Sequence, residues 1–199
     1  MKLQLSALTA HADPLTQASN TIALVLISNT PFYPLYLYFI LGRAGLPWLW
    51  LSAASLPFLV ITLFIARRNG LRARIWLSAT ATINSVYVTW LLGEASGTAL
   101  FLIPCISLAV LSFRRREIVP MGVLTALPFA LFIAFHGRFP APPALYPAAA
   151  YGSLLRLNEL SVASITAVLG YVFGKANDQV VPRSEKQQVH RSADGPGTA

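Results

Sequence analysis

The sequence predicts an all-α polytopic membrane protein with six transmembrane helices joined by short loops, and three observations support this. First, the 199 residues are 55% hydrophobic and only 11% charged, whereas charged residues make up about 25% of ordinary soluble domains. Second, the apolar residues form long runs of about the length that a helix needs to cross a hydrocarbon core of about 30 Å. Third, the Lys and Arg residues cluster between these runs.

The uncharged run over residues 97–113 sets the orientation of all the others. Arg114, Arg115 and Arg116 follow it directly. Because clustered arginines are held preferentially on the cytoplasmic side of a membrane, this end of the run is predicted to face the cytoplasm. The Glu94 end is then predicted to face outward.

The chain divides into three predicted parts. Residues 1–19 are expected to form a cytoplasmic tail, because Asp13 and Pro14 interrupt the few apolar residues there. Residues 20–174 are expected to form the six-helix transmembrane domain. Residues 175–199 are polar and are expected to form a disordered cytoplasmic tail.

The first two spans are predicted to be antiparallel neighbours. Span 1 covers about 20–41 and contains Pro31 and Pro34, each of which removes a backbone hydrogen bond and predicts a kink. Hydroxyl and amide groups just before these prolines can partner the freed carbonyls. Residues 42–46 form a short turn, so span 2, about 47–66, returns beside span 1.

Span 3, about 75–92, has small hydroxyl side chains at helical spacing on one face. Such a face suits tight helix packing in lipid better than a path for a polar substrate. Span 4 is the run over 97–113, and span 5 covers about 118–135. The face of span 3 consists of Ser78, Thr82, Ser85 and Thr89, and further kinks are predicted at Pro57, Pro104 and Pro128.

Span 6 is predicted over about 154–173, with three polar residues in its first two turns. The preceding segment, 136–151, contains four prolines and is expected to be the longest external connection. The polar residues of the span are Arg156, Asn158 and Glu159.

The distribution of basic residues supports this topology. Of the 15 Lys and Arg residues, twelve lie in the segments predicted to be cytoplasmic and three lie on the outer side, as the positive-inside rule requires. The same clustering explains the net charge of +8, so nucleic acid is not expected as a partner. The predicted partner is the lipid bilayer, and the predicted location is the bacterial cytoplasmic (inner) membrane.

No catalytic residue, metal site or cofactor is predicted. The single cysteine, Cys105, excludes a disulfide within the chain and a cysteine-based metal site. His136 has no second histidine on its side of the membrane, which excludes bis-His haem within one chain. Glu117 follows three arginines and is interpreted as a solvated charge.

Polar groups on the predicted outer side are the candidate ligand-binding residues. Ionisable groups at the edge of a membrane bundle are costly and are therefore functional candidates. They predict an outward-open pocket for a small amphipathic ligand or an unknown membrane partner. In the alternative interpretation, Arg156 and Glu159, three residues apart on one helix, neutralise each other. The candidates are Glu94, His136, Arg156, Asn158, Glu159 and Tyr36.

Span 6 also carries a stripe of small residues that lets another helix approach closely. The stripe fits either a contact within the chain or a homodimer interface. It consists of Ala163, Ala167, Gly170 and Gly174.

The order of the parts, more than any single motif, carries a family resemblance. The run G-x-x-S-G-x-x-L-F-L that begins at Gly93, the N-E-L-S ending at residues 158–161, and six short-looped helices resemble the membrane modules of bacterial class III adenylate cyclases. Related modules precede some sensor kinases. The resemblance covers about 20–173 and implies a receptor and dimerisation module. After residue 175 the chain has Pro182 and no heptads, so the coiled linker and output domain of those proteins are not expected.

The predicted function is that of a non-enzymatic sensor-like or scaffold module. The alternative is a small secondary transporter built of two inverted three-helix halves, since Leu56-Pro57-Phe58 and Leu127-Pro128-Phe129 fall at similar places in spans 2 and 5. An intramembrane enzyme is not expected, because the sequence offers neither a nucleophile with a base nor a metal cluster.

Overall fold

Eight α-helices and short 3₁₀ turns form the described part of the chain, residues 9–46 and 48–180, in the computed structural model, and this part contains no strand. Five helical segments are long and apolar enough to cross a membrane, and a sixth, Thr98–Ser112, is apolar but shorter. The all-α, multi-helix prediction is confirmed at this level. The helices are α1 (Pro14–Asn29), α2 (Phe32–Leu41), α3 (Trp48–Leu51), α4 (Leu56–Ala66), α5 (Gly70–Leu92), α6 (Leu102–Ser112), α7 (Ile118–Phe135) and α8 (Ala148–Val180).

Span 1 consists of α1 and α2 and starts six residues earlier than predicted. Asp13 caps α1 through its carboxylate, which accepts a hydrogen bond from the Thr16 amide. Asp followed by Pro at the first helical position is a helix-start signal and not the interruption that we inferred. Residues 14–19, predicted to belong to the tail, are therefore helical, and Leu15 and Ala18 are buried.

The predicted kink in span 1 is a break between α1 and α2. The Ser28 hydroxyl donates to the Val25 carbonyl at 2.9 Å, and the Thr30 hydroxyl donates to the Leu26 carbonyl at 2.7 Å. Hydroxyl groups before the proline thus partner carbonyls of the last turns, as predicted. The Asn29 side chain does not.

The remaining spans follow the predicted order with shifted ends. Span 2 is split into α3 and α4, with Pro57 in the first turn of α4, so a break replaces the predicted kink. Asn69 caps α5, which begins five residues early. The 3₁₀ turn Thr98–Phe101 precedes α6, and α7 has the predicted bounds.

Span 6 is longer than predicted. Because α8 begins at Ala148, Arg156, Asn158 and Glu159 lie beyond its second turn. Residues 175–180, predicted to belong to the tail, continue the helix. The rest of the predicted C-terminal tail, 181–199, and the first eight residues of the N-terminal tail lie outside the described residues.

Two buried clusters hold the helices together at opposite ends of the bundle. The first cluster lies at the end of the bundle that we call the basic end. It includes Leu15, Leu77 and Phe173, so the start of α1 and the end of α8 meet there. The second cluster lies at the opposite end, which we call the loop end, and it includes Leu37 and Leu154. The hydroxyl face predicted on span 3 is buried, which agrees with its packing role; its members are Ser78, Thr82, Ser85 and Thr89.

Gly97 permits a close contact between α8 and the connection that joins α5 to α6. Its φ angle is +77°, which L side chains rarely adopt, and a Cβ placed there would lie 2.5 Å from Leu155 Cδ1. The connection between α5 and α6 therefore lies directly on α8. This contact positions the residues that brace the site described next.

Candidate functional site

The structure brings two of the predicted outer residues together at the surface. The Glu94 carboxylate accepts hydrogen bonds from the Gly137 amide at 2.8 and 3.0 Å, and it lies 3.1 Å from His136 Nδ1. The His136 side chain is 71% exposed. These contacts tie the connection after α5 to the end of α7 at the surface, and we call them the Glu94 clamp.

Arg156 and Glu159 do not pair with each other. Both are exposed on α8, and no ion pair in the described part of the chain joins them. The predicted neutralisation within the chain is therefore wrong. Both side chains are exposed on the face of α8 that points away from the bundle, and neither makes a close ion pair among the described residues.

Asn158 is buried and braces three elements. Tyr33 Oη donates to Asn158 Oδ1 at 3.0 Å, and Asn158 Nδ2 donates to the Ser96 carbonyl at 2.8 Å. These bonds join α2, the connection before α6 and α8. Because these bonds engage both ends of its carboxamide, Asn158 acts as a brace for Tyr33, which faces the cavity described below.

A cavity of about 430 Å³ lies in the middle of the bundle, beside the break in span 1. Span 1, α4, α5, α6 and α8 all contribute to its wall, and none of the described lining residues is charged. Of the six candidates, Tyr36 alone lines it. The cavity lies between the two buried clusters, whereas the predicted pocket lay among the outer polar residues.

Two carboxamides in the cavity wall have no partner. Asn29 is the last residue of α1, and Asn84 lies within α5; neither side chain makes a hydrogen bond in the described part of the chain. The hydroxyls of Ser55, Thr80 and Ser164, also in the wall, are likewise unpartnered there. Asn84 is half-buried and Asn29 is exposed at the edge of the cavity, so both carboxamides are free to bond a ligand that enters it.

Sequence reasoning missed Asn29 and Asn84 as site residues. Both stand in uncharged apolar runs, and a polar side chain within a membrane span is a functional candidate by default. That signal was available. We assigned Asn29 only to the freed carbonyls near Pro31, a role that Ser28 and Thr30 perform.

Neither the protein-family models nor the curated proteins compared with this chain include a match.

A network of charged groups closes the basic end of the bundle. Arg74, whose side chain is 4% exposed, donates to both Glu117 carboxylate oxygens at 2.8 Å and to the Ser112 carbonyl at 2.6 Å. Asp13 accepts from Arg114 at 2.6 Å and lies 3.8 Å from Arg74. The interpretation of Glu117 as a solvated charge is therefore wrong, because α5 places a buried guanidinium beside it.

These two carboxylates make stability depend on acid pH. Burial alone would raise the pKa of each, but hydrogen bonds to Asp13 from Thr16 and Arg114, and to Glu117 from Arg74 and the Arg114 amide, hold both pKa values below their ordinary 3.8 and 4.5. A lowered folded-state pKa stabilises the fold above the unfolded-state pKa, and this contribution is lost as pH falls through the folded-state pKa.

We therefore expect the melting temperature in detergent to fall as pH drops below about 4.5. Glu117→Gln cannot titrate at this position, so it should be less stable at pH 7 and should lose less on acidification. The measurement is thermal unfolding of both proteins from pH 7 to pH 3. Equal acid losses for the two proteins would contradict this assignment.

Proposed function

We propose that the chain is a non-enzymatic membrane module, sensor-like or scaffold in type, that binds a small neutral and mainly apolar ligand in its central cavity. The observation that carries this proposal is the pair of unpartnered carboxamides, Asn29 and Asn84, in a cavity without charged lining residues. Its volume of about 430 Å³ falls in the usual range for ligand pockets. Such a wall favours a ligand with one or two hydrogen-bonding groups.

We propose that the basic end faces the cytoplasm of a bacterial inner membrane. The support is the excess of arginines at this end, on the positive-inside rule. In this orientation the start of α1 and the end of α8 are both cytoplasmic, and the Glu94 clamp faces outward. The cavity then lies within the thickness of the bilayer.

The settings of two prolines weaken the support for a transporter built of two inverted three-helix halves. Pro57 lies in the first turn of α4, after a break, whereas Pro128 lies inside the continuous α7. The two Leu-Pro-Phe segments thus have different settings. No other described feature favours a transporter, and we do not propose one.

The ligand site can be tested by the chemical modification of Cys105, the single cysteine of the chain, which is buried in the cavity wall. We expect 1-alkanols of increasing length to protect it from methyl methanethiosulfonate until the chain fills the cavity, after which protection should decline. Each added methylene contributes about 0.8 kcal/mol only while it has room. Protection that increases with every carbon would indicate simple membrane partitioning and would contradict the proposal.

Asn84→Leu is the matched variant for this test. This variant replaces a carboxamide of the cavity wall by an apolar side chain of similar volume. We expect half-maximal protection of Cys105 to need about a tenfold higher alkanol concentration, equivalent to about 1.4 kcal/mol. The rate of Cys105 modification without alkanol serves as the control for access. Unchanged protection in this variant would exclude Asn84 from the site.

We also propose that the module forms a parallel homodimer through the exposed face of α8, the face that points away from the bundle. The small stripe is exposed, and a Cβ at Gly170 or Gly174 would meet no atom within 4 Å. This exposure favours a contact with a second copy over a packing contact within the chain. Helical spacing places the unpaired Arg156 and Glu159 on the same face, where a two-fold axis would bring each against its opposite on the partner.

Gly170→Leu should raise the dimer dissociation constant about tenfold in nanodiscs, equivalent to about 1.4 kcal/mol, while the folded yield is kept. Gly122→Leu is the control, because Gly122 is exposed on α7 with no neighbour to its Cβ. Glu159→Arg should also weaken the dimer, and adding Arg156→Glu should restore it. An unaffected dimer would remove α8 from the interface.

A further inference from the structure

We infer that the ligand enters the cavity sideways from the bilayer, through an opening between span 1 and α8, and that it is a single-chain amphiphile with an uncharged head group. This inference rests on the proposed ligand site and specifies its chemistry. The observations that carry it are the position of the exposed lining residues, the way span 1 and α8 are held together, and the absence of charge from the described wall.

The exposed residues of the cavity wall all belong to two elements. Val25, Asn29 and Tyr36 lie on span 1, and Leu160 and Ser164 lie on α8. The lining residues from α4, α5 and α6 are buried or half-buried. Since exposure is confined to the margins of span 1 and α8, the cavity opens between them, on the side of the bundle.

Span 1 and α8 share a buried cluster at each end of the bundle. At the basic end, Leu15 and Ile22 share a buried cluster with Leu169 and Phe173. At the loop end, Leu37 clusters with Leu154. The break between α1 and α2 falls between these two contacts, so the opening lies at the level of the helix break.

The hydrogen bond from Tyr33 to Asn158 joins span 1 and α8 on the loop-end side of the helix break. On the basic-end side of this bond, the margin of the opening is apolar at Val25 and Leu160. Each helix also carries one polar group there, Asn29 on span 1 and Ser164 on α8. A molecule dissolved in lipid would meet apolar contacts first and hydrogen-bonding groups next. This order suits an alkyl chain that carries one polar end.

The uncharged wall excludes an ionised head group. Moving a charge into such a cavity would remove its hydration without supplying an opposite charge, at a cost of several kcal/mol. Hydroxyl, ester or amide head groups carry no such penalty and can bond Asn29 or Asn84. The inferred class is therefore neutral single-chain amphiphiles that partition into the membrane.

The test measures how fast reagents reach Cys105 in the full chain in lipid nanodiscs. N-octylmaleimide enters the bilayer, and a cationic methanethiosulfonate does not. We expect the lipid-soluble reagent to label the wild-type protein and the cationic reagent to fail. Ser164→Phe and Leu160→Trp, each of which adds bulk at the margin, should slow N-octylmaleimide labelling about tenfold. Complete labelling of every variant in SDS confirms that the thiol is intact.

Ala130→Phe is the matched control, because it adds bulk to an exposed position on α7, away from the cavity and from the proposed dimer face, and it should label at the wild-type rate. Wild-type rates in both margin variants, or rapid labelling by the cationic reagent, would overturn the lateral opening. Protection by 1-decanol, measured at equilibrium in the wild-type protein, separates the two claims. Slow margin variants without such protection would overturn the ligand site and leave the opening in place.

Discussion

Replacing Arg74 by glutamine is expected to lower the free energy of unfolding by about 3–5 kcal/mol, the usual loss when one partner of a buried ion pair is removed. Arg74 is the buried cation that holds Glu117 and the Ser112 carbonyl, and it lies near Asp13. Glutamine removes the charge and leaves Glu117 partly buried beside an amide. The start of α1, α5 and the connection from α6 to α7 would lose their common contact.

Arg72→Gln is the matched control for this effect. Arg72 belongs to the same basic cluster and the same helix, but its side chain is exposed and makes no ion pair among the described residues. We expect a change within about 0.5 kcal/mol, as for other surface substitutions. Denaturant unfolding in detergent compares the two variants, and similar losses would mean that net charge, and not the buried network, stabilises this end.

Asn158→Leu is expected to cost about 2–4 kcal/mol, because it leaves one buried and one half-buried group without partners at roughly 1–3 kcal/mol each. The groups are the Tyr33 hydroxyl, which donates to Asn158, and the Ser96 carbonyl, which accepts from it. Leucine has a similar volume and offers neither bond. Thermal unfolding in detergent measures the loss.

The same substitution at Asn84 should have the opposite effect on stability. Asn84 has no hydrogen-bond partner in the described structure, so Asn84→Leu removes an unsatisfied amide and should keep or raise the melting temperature. Its effect should appear instead in alkanol protection of Cys105. A loss of stability at Asn84 as large as that at Asn158 would show that Asn84 is a structural residue.

The number and order of apolar segments followed from composition, and the bounds of α7 were correct to the residue. The run over 118–135 contains no charged residue, and it lies between the arginine cluster with Glu117 on one side and His136 on the other, so polar residues mark both ends. The hydroxyl face of α5 was also predictable, because helical spacing alone places Ser78, Thr82, Ser85 and Thr89 together. These features depend on local sequence.

The site depended on how each helix is rotated and could not be predicted in the same way. Nearly all faces of these helices are apolar, so hydrophobic periodicity does not show which face meets the centre. The contact between Arg74 and Glu117 joins residues 43 positions apart. Asn158 was singled out as a candidate ligand-binding residue, but its role as a brace depends on partners on α2 and before α6, which packing between distant segments brings to it.

The central claim, that the cavity beside Asn29 and Asn84 is a ligand site, is tested most directly by photolabelling. A diazirine-bearing 1-alkanol would be applied to the protein in nanodiscs, and the labelled residues would be identified by mass spectrometry. We expect label on the cavity faces of α5 and α6 that excess 1-decanol removes, while label on the exposed face of α7 persists. Label that is confined to α7 and other exposed faces, or that is insensitive to 1-decanol everywhere, would contradict the claim.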